Sequence, residues 1–221
     1  MIRPDKFVII IALLIIKILA NSVMNIFLIN IEMKKGVSEK DVKNTKLFGY
    51  NDINSLKSLF EEYPNEIACV ILEPSATEHP KDNFLQKVKQ LCKEKKAVFV
   101  LDEMITGFRW HLKGAQYFYD VDPDLCTFGK AMANGFAVAA LCGKEKIMSL
   151  GSIRNIGAER VFLTSTTHGA EMSSLGAFVK TVEILKRDNV IQHVWDYGST
   201  LIQEANSISK KHGLSKNVIC L

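Results

Sequence analysis

The chain has 221 residues, of which 48% are hydrophobic and 24% charged, a balance typical of a globular protein with a buried core. Its formal net charge is +4, and its lysines and acids are interspersed, which argues against a nucleic-acid-binding surface. The five cysteines have spacings that fit no zinc site, and three lie in apolar runs, which favours a reducing compartment. We therefore expect a cytoplasmic protein without a metal site.

Residues 1–35 form an apolar segment that differs in composition from the rest of the chain. Its apolar core is uninterrupted only from Phe7 to Ile16, because Lys17 and several asparagines follow. A membrane-spanning helix needs about 20 mainly apolar residues. Three interpretations stay open: a signal peptide, a membrane anchor, or sequence unrelated to the domain behind it. Any contact with a membrane is expected only through residues 7–31.

From residue 36 onward, amphipathic helices alternate with short apolar strands. The stretch DINSLKSLFEEY predicts a helix capped by Asp52 or Asn54, and DNFLQKVKQLCKEKK predicts a second helix with one apolar face. The apolar runs EIACVILEP, AVFVLDE, DLCTFG and AVAALCG predict four strands. A long helical pattern then follows, with a break near residues 187–189. This order predicts an α/β fold with a mostly parallel sheet flanked by helices.

Charged residues follow three of the predicted strands at their carboxyl ends, which is where such sheets bind ligands: Glu73, Asp102 and Lys130. Asp102 ends an apolar strand, and a buried carboxylate needs a positive partner to stay charged. The ordinary alternatives for Asp102 are a helix cap or an ion pair with Arg109. We expect Lys130 to be partly buried, and a buried lysine amine reacts readily with aldehydes. The ordinary alternative for Lys130 is a side chain that extends into solvent.

Lys130 and Asp102 together indicate one cofactor more strongly than either does alone. Pyridoxal phosphate (PLP) needs a lysine for its aldehyde carbon and a carboxylate for its pyridinium nitrogen. A bound pyridinium would also be the positive partner that keeps the Asp102 carboxylate charged. The sequence therefore predicts a PLP site at this edge of the sheet.

Four motifs in order carry a resemblance to a known family: VILEP, VFVLDEMITGFR, PDLCTFGKAMANG and FLTSTTHGAEMSSLGA. Together they resemble the class III aminotransferases of the fold type I PLP enzymes, in particular the glutamate-1-semialdehyde 2,1-aminomutase branch. The resemblance covers about Gly36 to His212. It implies the large domain of a fold type I transferase, truncated at both ends. Residues 36–190 would be its central part, and residues 191–221 the start of a truncated C-terminal region.

The resemblance implies a role for each residue that matches a family position. Lys130 would carry the cofactor as a Schiff base and transfer the proton, and Asp102 would pair with the pyridinium nitrogen. Met104 matches a position that packs on one face of the ring, where the family more often has valine. Thr166 matches the threonine that reaches the cofactor phosphate of the other subunit. Glu73 matches an acid near the active site.

Four further residues near these motifs are expected to have supporting roles. Arg109 would take part in structural pairing, and His168 would serve as packing or polar support rather than as a general base. Trp110 and His111 would be loop residues that shape the substrate entrance.

The predicted function is a PLP-dependent aminotransferase or aminomutase that acts on a small amine or amino acid, and the family implies a homodimer. The family's phosphate-binding loop and ring-stacking aromatic residue do not appear before Gly36. We therefore expect this chain alone to be weakly active or inactive, and its homodimer to be compromised. The alternative is a non-catalytic remnant, or a membrane-tethered interaction protein, built on the same fold.

Overall fold

The structure is a computed structural model that describes residues 45–75, 78–152 and 171–214. Its α-helices are α1 (Ile53–Glu62), α2 (Phe84–Lys95), α3 (Ala115–Phe118), α4 (Glu145–Met148), α5 (Met172–Arg187) and α6 (Val190–Lys211). Its strands are β1 (Cys69–Leu72), β2 (Val98–Asp102), β3 (Leu125–Phe128) and β4 (Ala140–Gly143). Two short 3-10 turns cover Lys130–Met132 and Ser149–Gly151.

The four strands form one sheet in the order β1-β2-β3-β4. The first three strands are parallel, and β4 is antiparallel to β3. All four predicted strands are present, which confirms the prediction of a mostly parallel sheet. The last strand reverses direction because only a 3-10 turn and a short loop connect it to β3, whereas a parallel partner needs a long crossover.

Both faces of the sheet are covered, because the side chains of β2 alternate between two apolar clusters. Phe99 and Leu101 point into the larger cluster, which contains the buried faces of α1 and α2. Val98 and Val100 point into a smaller cluster with Leu125 on the opposite face. The apolar residues predicted to face inward from α2 are all buried: Phe84, Leu85, Val88, Leu91 and Cys92.

A polar cap begins α1, and a left-handed residue separates α5 from α6. The Asp52 carboxylate accepts hydrogen bonds from the backbone N–H groups of Asn54 at 3.0 Å and Ser55 at 3.1 Å, so Asp52 is the cap of α1. The predicted break in the last helix is confirmed, because α5 ends at Arg187 and α6 begins after Asn189. Asn189 has a left-handed backbone with φ of +48°, which helical geometry does not allow.

Within the ranges that the structure describes, none of the helices combines the length and apolar character that crossing a membrane requires. The segment predicted as an anchor, residues 7–31, lies outside the described residues.

Candidate functional site

The sheet brings three of the residues singled out from the sequence to one edge. Because β1, β2 and β3 run parallel, their carboxyl ends meet at the same side of the sheet. Glu73 follows the last residue of β1, Asp102 ends β2, and Lys130 begins the 3-10 turn after β3. Two carboxylates and one ammonium group therefore share this edge.

Asp102 is buried, with 3% of its surface exposed, and its carboxylate is held through one oxygen. Oδ1 accepts a hydrogen bond from the backbone N–H of Met104 at 3.0 Å and another from the Thr127 hydroxyl at 3.0 Å. The suggested ion pair with Arg109 is not formed, because that guanidinium donates to the carbonyl of Ile105 at 2.8 Å. Arg109 thus pairs with backbone, and Asp102 caps the turn that follows its own strand.

The prediction that Lys130 is partly buried is wrong. Its side chain is exposed, although Phe128 and Gly129 before it are buried. The physical reason is the backbone, because Lys130 adopts a left-handed conformation with φ of +44°. This conformation turns the chain away from the sheet at the residue that follows the last buried position.

Gly129 lies close against the side chain of Met104. Its φ of −176° is extended backbone that any residue can adopt. A Cβ atom at this position would lie 2.9 Å from the sulfur of Met104, which is too close for a side chain. The half-buried Met104 therefore reaches from the end of β2 to the residue before Lys130.

Electrostatics link the three charged residues at this edge. Burial raises the pKa of the half-buried Glu73 above its usual value, and the charge of Asp102 raises it further. Lys130 acts in the opposite direction and lowers the pKa of Glu73. All three charges therefore act on the same small region.

Glu103 is a structurally important residue that the sequence analysis missed. It is fully buried, and its carboxylate accepts hydrogen bonds from the backbone N–H groups of Ala115 at 2.6 Å and Gln116 at 2.8 Å. A third bond comes from the Thr106 hydroxyl at 3.0 Å. Burial raises the pKa of Glu103, and these hydrogen bonds oppose the rise. The available signal was the Asp-Glu pair itself, because adjacent strand residues point to opposite faces.

The loop after β2 is held by an aromatic cluster around Trp110. Its ring contacts four others, with centroid distances from 4.9 to 5.5 Å: His79, Phe118, Tyr119 and Trp195. The Trp195 indole also donates a hydrogen bond to the carbonyl of Arg109 at 3.0 Å, which fastens α6 to this loop. His111 stacks on Tyr117 at 4.3 Å. The entrance role of Trp110 and His111 stays a prediction.

Two residues singled out from the sequence, Thr166 and His168, lie outside the described residues. In the described ranges, no group of three or more His, Cys, Asp or Glu side chains is arranged to hold a metal ion. The donor set at the sheet edge suits an organic cofactor with an aldehyde and a basic ring nitrogen. Lys130 supplies a solvent-accessible amine, and Asp102 supplies a buried carboxylate whose Oδ1 is already held.

A family model described as aminotransferase class-III matches residues 19–219, so the match begins inside the apolar segment 1–35. Among curated proteins, the chain is 36% identical over 193 residues to 3-aminobutyryl-CoA aminotransferase of Cloacimonas acidaminovorans, covering 85% of this chain and 45% of that protein. It is 41% identical over 158 residues to glutamate-1-semialdehyde 2,1-aminomutase of Thermosipho africanus, covering 70% and 36% respectively. The chain thus spans less than half the length of these relatives.

Solved structures with the same fold include a PLP internal aldimine form of the Sphingopyxis sp. MTA144 FumI protein. It aligns with a TM-score of 0.72 at 24% identity, over 80% of this chain and 42% of that one. An omega-transaminase from Sphaerobacter thermophilus aligns with a TM-score of 0.62 at 25% identity, over 68% and 35% respectively.

Proposed function

The chain belongs to the class III aminotransferase family, and on that premise we propose that it binds pyridoxal phosphate and moves amino groups. The family resemblance drawn from the motifs is confirmed by the match over residues 19–219. The predicted fold type I architecture is confirmed by the structural neighbours. The observation that carries the proposal is the placement of Glu73, Asp102 and Lys130 at one edge of the sheet.

Each residue at this edge has a proposed task. Lys130 holds the aldehyde carbon of the cofactor through Nζ, and Asp102 binds the ring nitrogen through its carboxylate. When bound, the cofactor supplies an electron sink for the substrate carbon that carries the amino group. With its amine free, Lys130 would take a proton from the substrate carbon that carries the amino group and would later return it. Met104 is proposed to pack against one face of the ring.

Glu73 is proposed to act on the charge of the site rather than on the reacting bonds. Its pKa is raised by burial and by Asp102, so it accepts a proton more readily than an ordinary glutamate. A neutral Glu73 would leave Asp102 as the main carboxylate available to a pyridinium nitrogen. The reach of Thr166 to the phosphate of a second subunit, and the homodimer that it requires, remain part of the proposal.

The substrate class is a small amine or amino acid. Relatives of this chain include an aminotransferase and an aminomutase. Both reaction types need the same amine, carboxylate and cofactor, so the proposal covers both. Because the Lys130 side chain is exposed, water reaches the attachment point. We therefore expect weak cofactor retention and slow turnover by this chain alone.

The direct test is to trap the cofactor on the chain. Pyridoxal phosphate is added, the bound form is reduced with borohydride, and the modified peptide is identified by mass spectrometry. We expect the label on Lys130 and its loss in Lys130→Ala. Lys96 is a matched control, because it is also exposed and also has a left-handed backbone, with φ of +57°.

Two results would contradict the proposal. A label spread over exposed lysines, with Lys96 modified as fully as Lys130, would show only the general reactivity of amines with aldehydes. The absence of any specific label would instead support the alternative of a non-catalytic protein on this fold.

A further inference from the structure

We propose that Thr127 is a positioning residue that orients the Asp102 carboxylate toward the ring nitrogen of the cofactor. This inference rests on the proposed function. It starts from the register of the sheet, in which Asp102 of β2 pairs with Thr127 of β3. Side chains of paired residues in parallel strands lie next to each other on the same face. The Thr127 hydroxyl accordingly donates to Asp102 Oδ1 at 3.0 Å.

The contact between these two residues is buried and fixed from both sides. Thr127 is 2% exposed and Asp102 is 3% exposed. The carbonyl of Thr127 also accepts a hydrogen bond at 3.0 Å from the backbone N–H of Glu103, which continues the strand pairing beyond Asp102. Because threonine is branched at Cβ, few rotamers are open to it in a strand. The hydroxyl is therefore held in place by backbone and burial before any ligand binds.

The two oxygens of the Asp102 carboxylate differ in the hydrogen bonds that they accept. Both hydrogen bonds that the described residues give to Asp102 go to Oδ1, one from Thr127 and one from the backbone N–H of Met104. Two donors on one oxygen fix the rotation of the carboxylate plane. Oδ2 is then the oxygen available to a ring nitrogen, and the Asp102 side chain does not have to change its rotamer to bind that nitrogen.

Thr127 is also the one polar residue of its strand. Its neighbours Cys126 and Phe128 belong to the larger apolar cluster, and Leu125 belongs to the smaller one. A valine at position 127 would match the shape of threonine and suit an apolar strand. It would lack the hydroxyl, so Asp102 Oδ1 would keep only one of its two donors.

The test is a double-mutant cycle on cofactor binding, made of Thr127→Val, Asp102→Ala and the double variant. We expect Thr127→Val to weaken pyridoxal phosphate binding about tenfold, read from the visible absorbance of the lysine-bound cofactor. We expect Thr127→Ser, which keeps the hydroxyl, to restore binding to within about twofold of the unmutated chain. In the Asp102→Ala background, which has no acceptor for the Thr127 hydroxyl, Thr127→Val should have no further effect on cofactor binding.

A matched control separates positioning from general stability. Thr106 is a buried threonine whose hydroxyl donates to the other buried carboxylate, Glu103, at 3.0 Å. Thr106→Val therefore removes the same kind of bond away from Asp102. We expect its effect on cofactor binding to be the same with and without Asp102→Ala. If Thr127→Val also has equal effects in both backgrounds, the positioning role is wrong.

A second readout keeps the inference testable if the proposed function fails. If the unmutated chain binds no pyridoxal phosphate, the proposed function is wrong, and the same cycle is then measured on urea unfolding without cofactor. A coupling of about fivefold or more in the unfolding equilibrium constant between positions 127 and 102 would support the orientation of Asp102 by Thr127. Additive effects at these two positions would overturn it.

Discussion

The charges at the sheet edge can be measured without a ligand through the pH dependence of the free energy of unfolding. Burial and the charge of Asp102 hold the folded-state pKa of Glu73 above its usual value, so the native state binds this proton more tightly than the unfolded chain does. The stability contributed by protonated Glu73 is therefore fully present below the unfolded pKa. It is lost as the pH rises through the folded pKa.

We predict that Glu73→Gln removes this loss. Urea unfolding between about pH 4 and about pH 7 should show a shallower fall in the free energy of unfolding for the variant than for the unmutated chain. Glu61→Gln, on an exposed position of α1, controls for the removal of one negative charge. If the free energy of unfolding falls equally with pH for Glu73→Gln and the unmutated chain, the pKa of Glu73 is not raised by burial and by Asp102.

At the level of single residues, the sequence predicted the strand-end acids but not their surroundings. Asp102 was identifiable because a carboxylate that ends an apolar strand is unusual. The exposure of Lys130 was not, because nothing in Gly-Lys-Ala indicates that the left-handed residue is the lysine rather than the glycine. The contact between Thr127 and Asp102 depends on strand register, which periodicity alone does not supply.

The loop between β2 and α3 is an element whose position depends on one buried side chain. Glu103 accepts three hydrogen bonds, two of them from the start of α3. Glu103→Ala would leave three donors without an acceptor in a dry environment. We predict a loss of about 2–5 kcal/mol in the free energy of unfolding, measured by urea denaturation. A loss as small as that of the exposed control Glu61→Ala, within about 0.5 kcal/mol, would contradict this role.

In the part of the chain that the structure describes, Trp195 joins the last helix, α6, to the loop after β2. The helix has no buried residue, and Trp195 contacts the ring of Trp110 and donates to the carbonyl of Arg109. We predict that Trp195→Ala speeds amide hydrogen exchange along residues 190–211 while β2 keeps its protection. Tyr197→Ala is the control, because that side chain is 65% exposed on the same helix. Equal exchange in both variants would show that α6 is held by other contacts.

The helices and strands divide into those that the sequence could predict and those that it could not. Helices α1 and α2 were predictable because their apolar residues recur at helical spacing and, for α1, because Asp52 is a strong cap. Helix α3 was missed, since it has only four residues and depends on the distant Glu103 rather than on its own pattern. The antiparallel direction of β4 could not be predicted, because it depends on the length of the connection from β3. The sequence does not mark where that connection begins and ends.

Considered as a whole, the described molecule exposes several large apolar side chains along its last helix. Val194, Leu201 and Ile208 are spaced seven residues apart, which places them on one face of α6, and each is more than half exposed. Exposed apolar stripes of this kind promote association. We predict that Leu201→Glu with Ile208→Glu lowers the light scattering of concentrated solutions. Unchanged scattering would mean that the stripe does not govern solubility.

The sequence also predicted the extent of the molecule relative to its family. The motifs match only the central part of the family's pattern, and the chain covers 45% or less of the length of the relatives described above. The sequence left three interpretations open for residues 1–35. The family match begins at residue 19, inside this segment.

At position 130, the left-handed backbone favours glycine, whereas the proposed function needs a lysine. An L-residue in this conformation is disfavoured by about 1–2 kcal/mol relative to glycine. The exposed side chain offers little burial to offset that strain. Lysine is therefore unfavourable for folding at this position, and its exposed amine projects from the sheet edge. Glycine at residue 130 would relieve this backbone strain, but it would also remove the amine that is proposed to hold the cofactor.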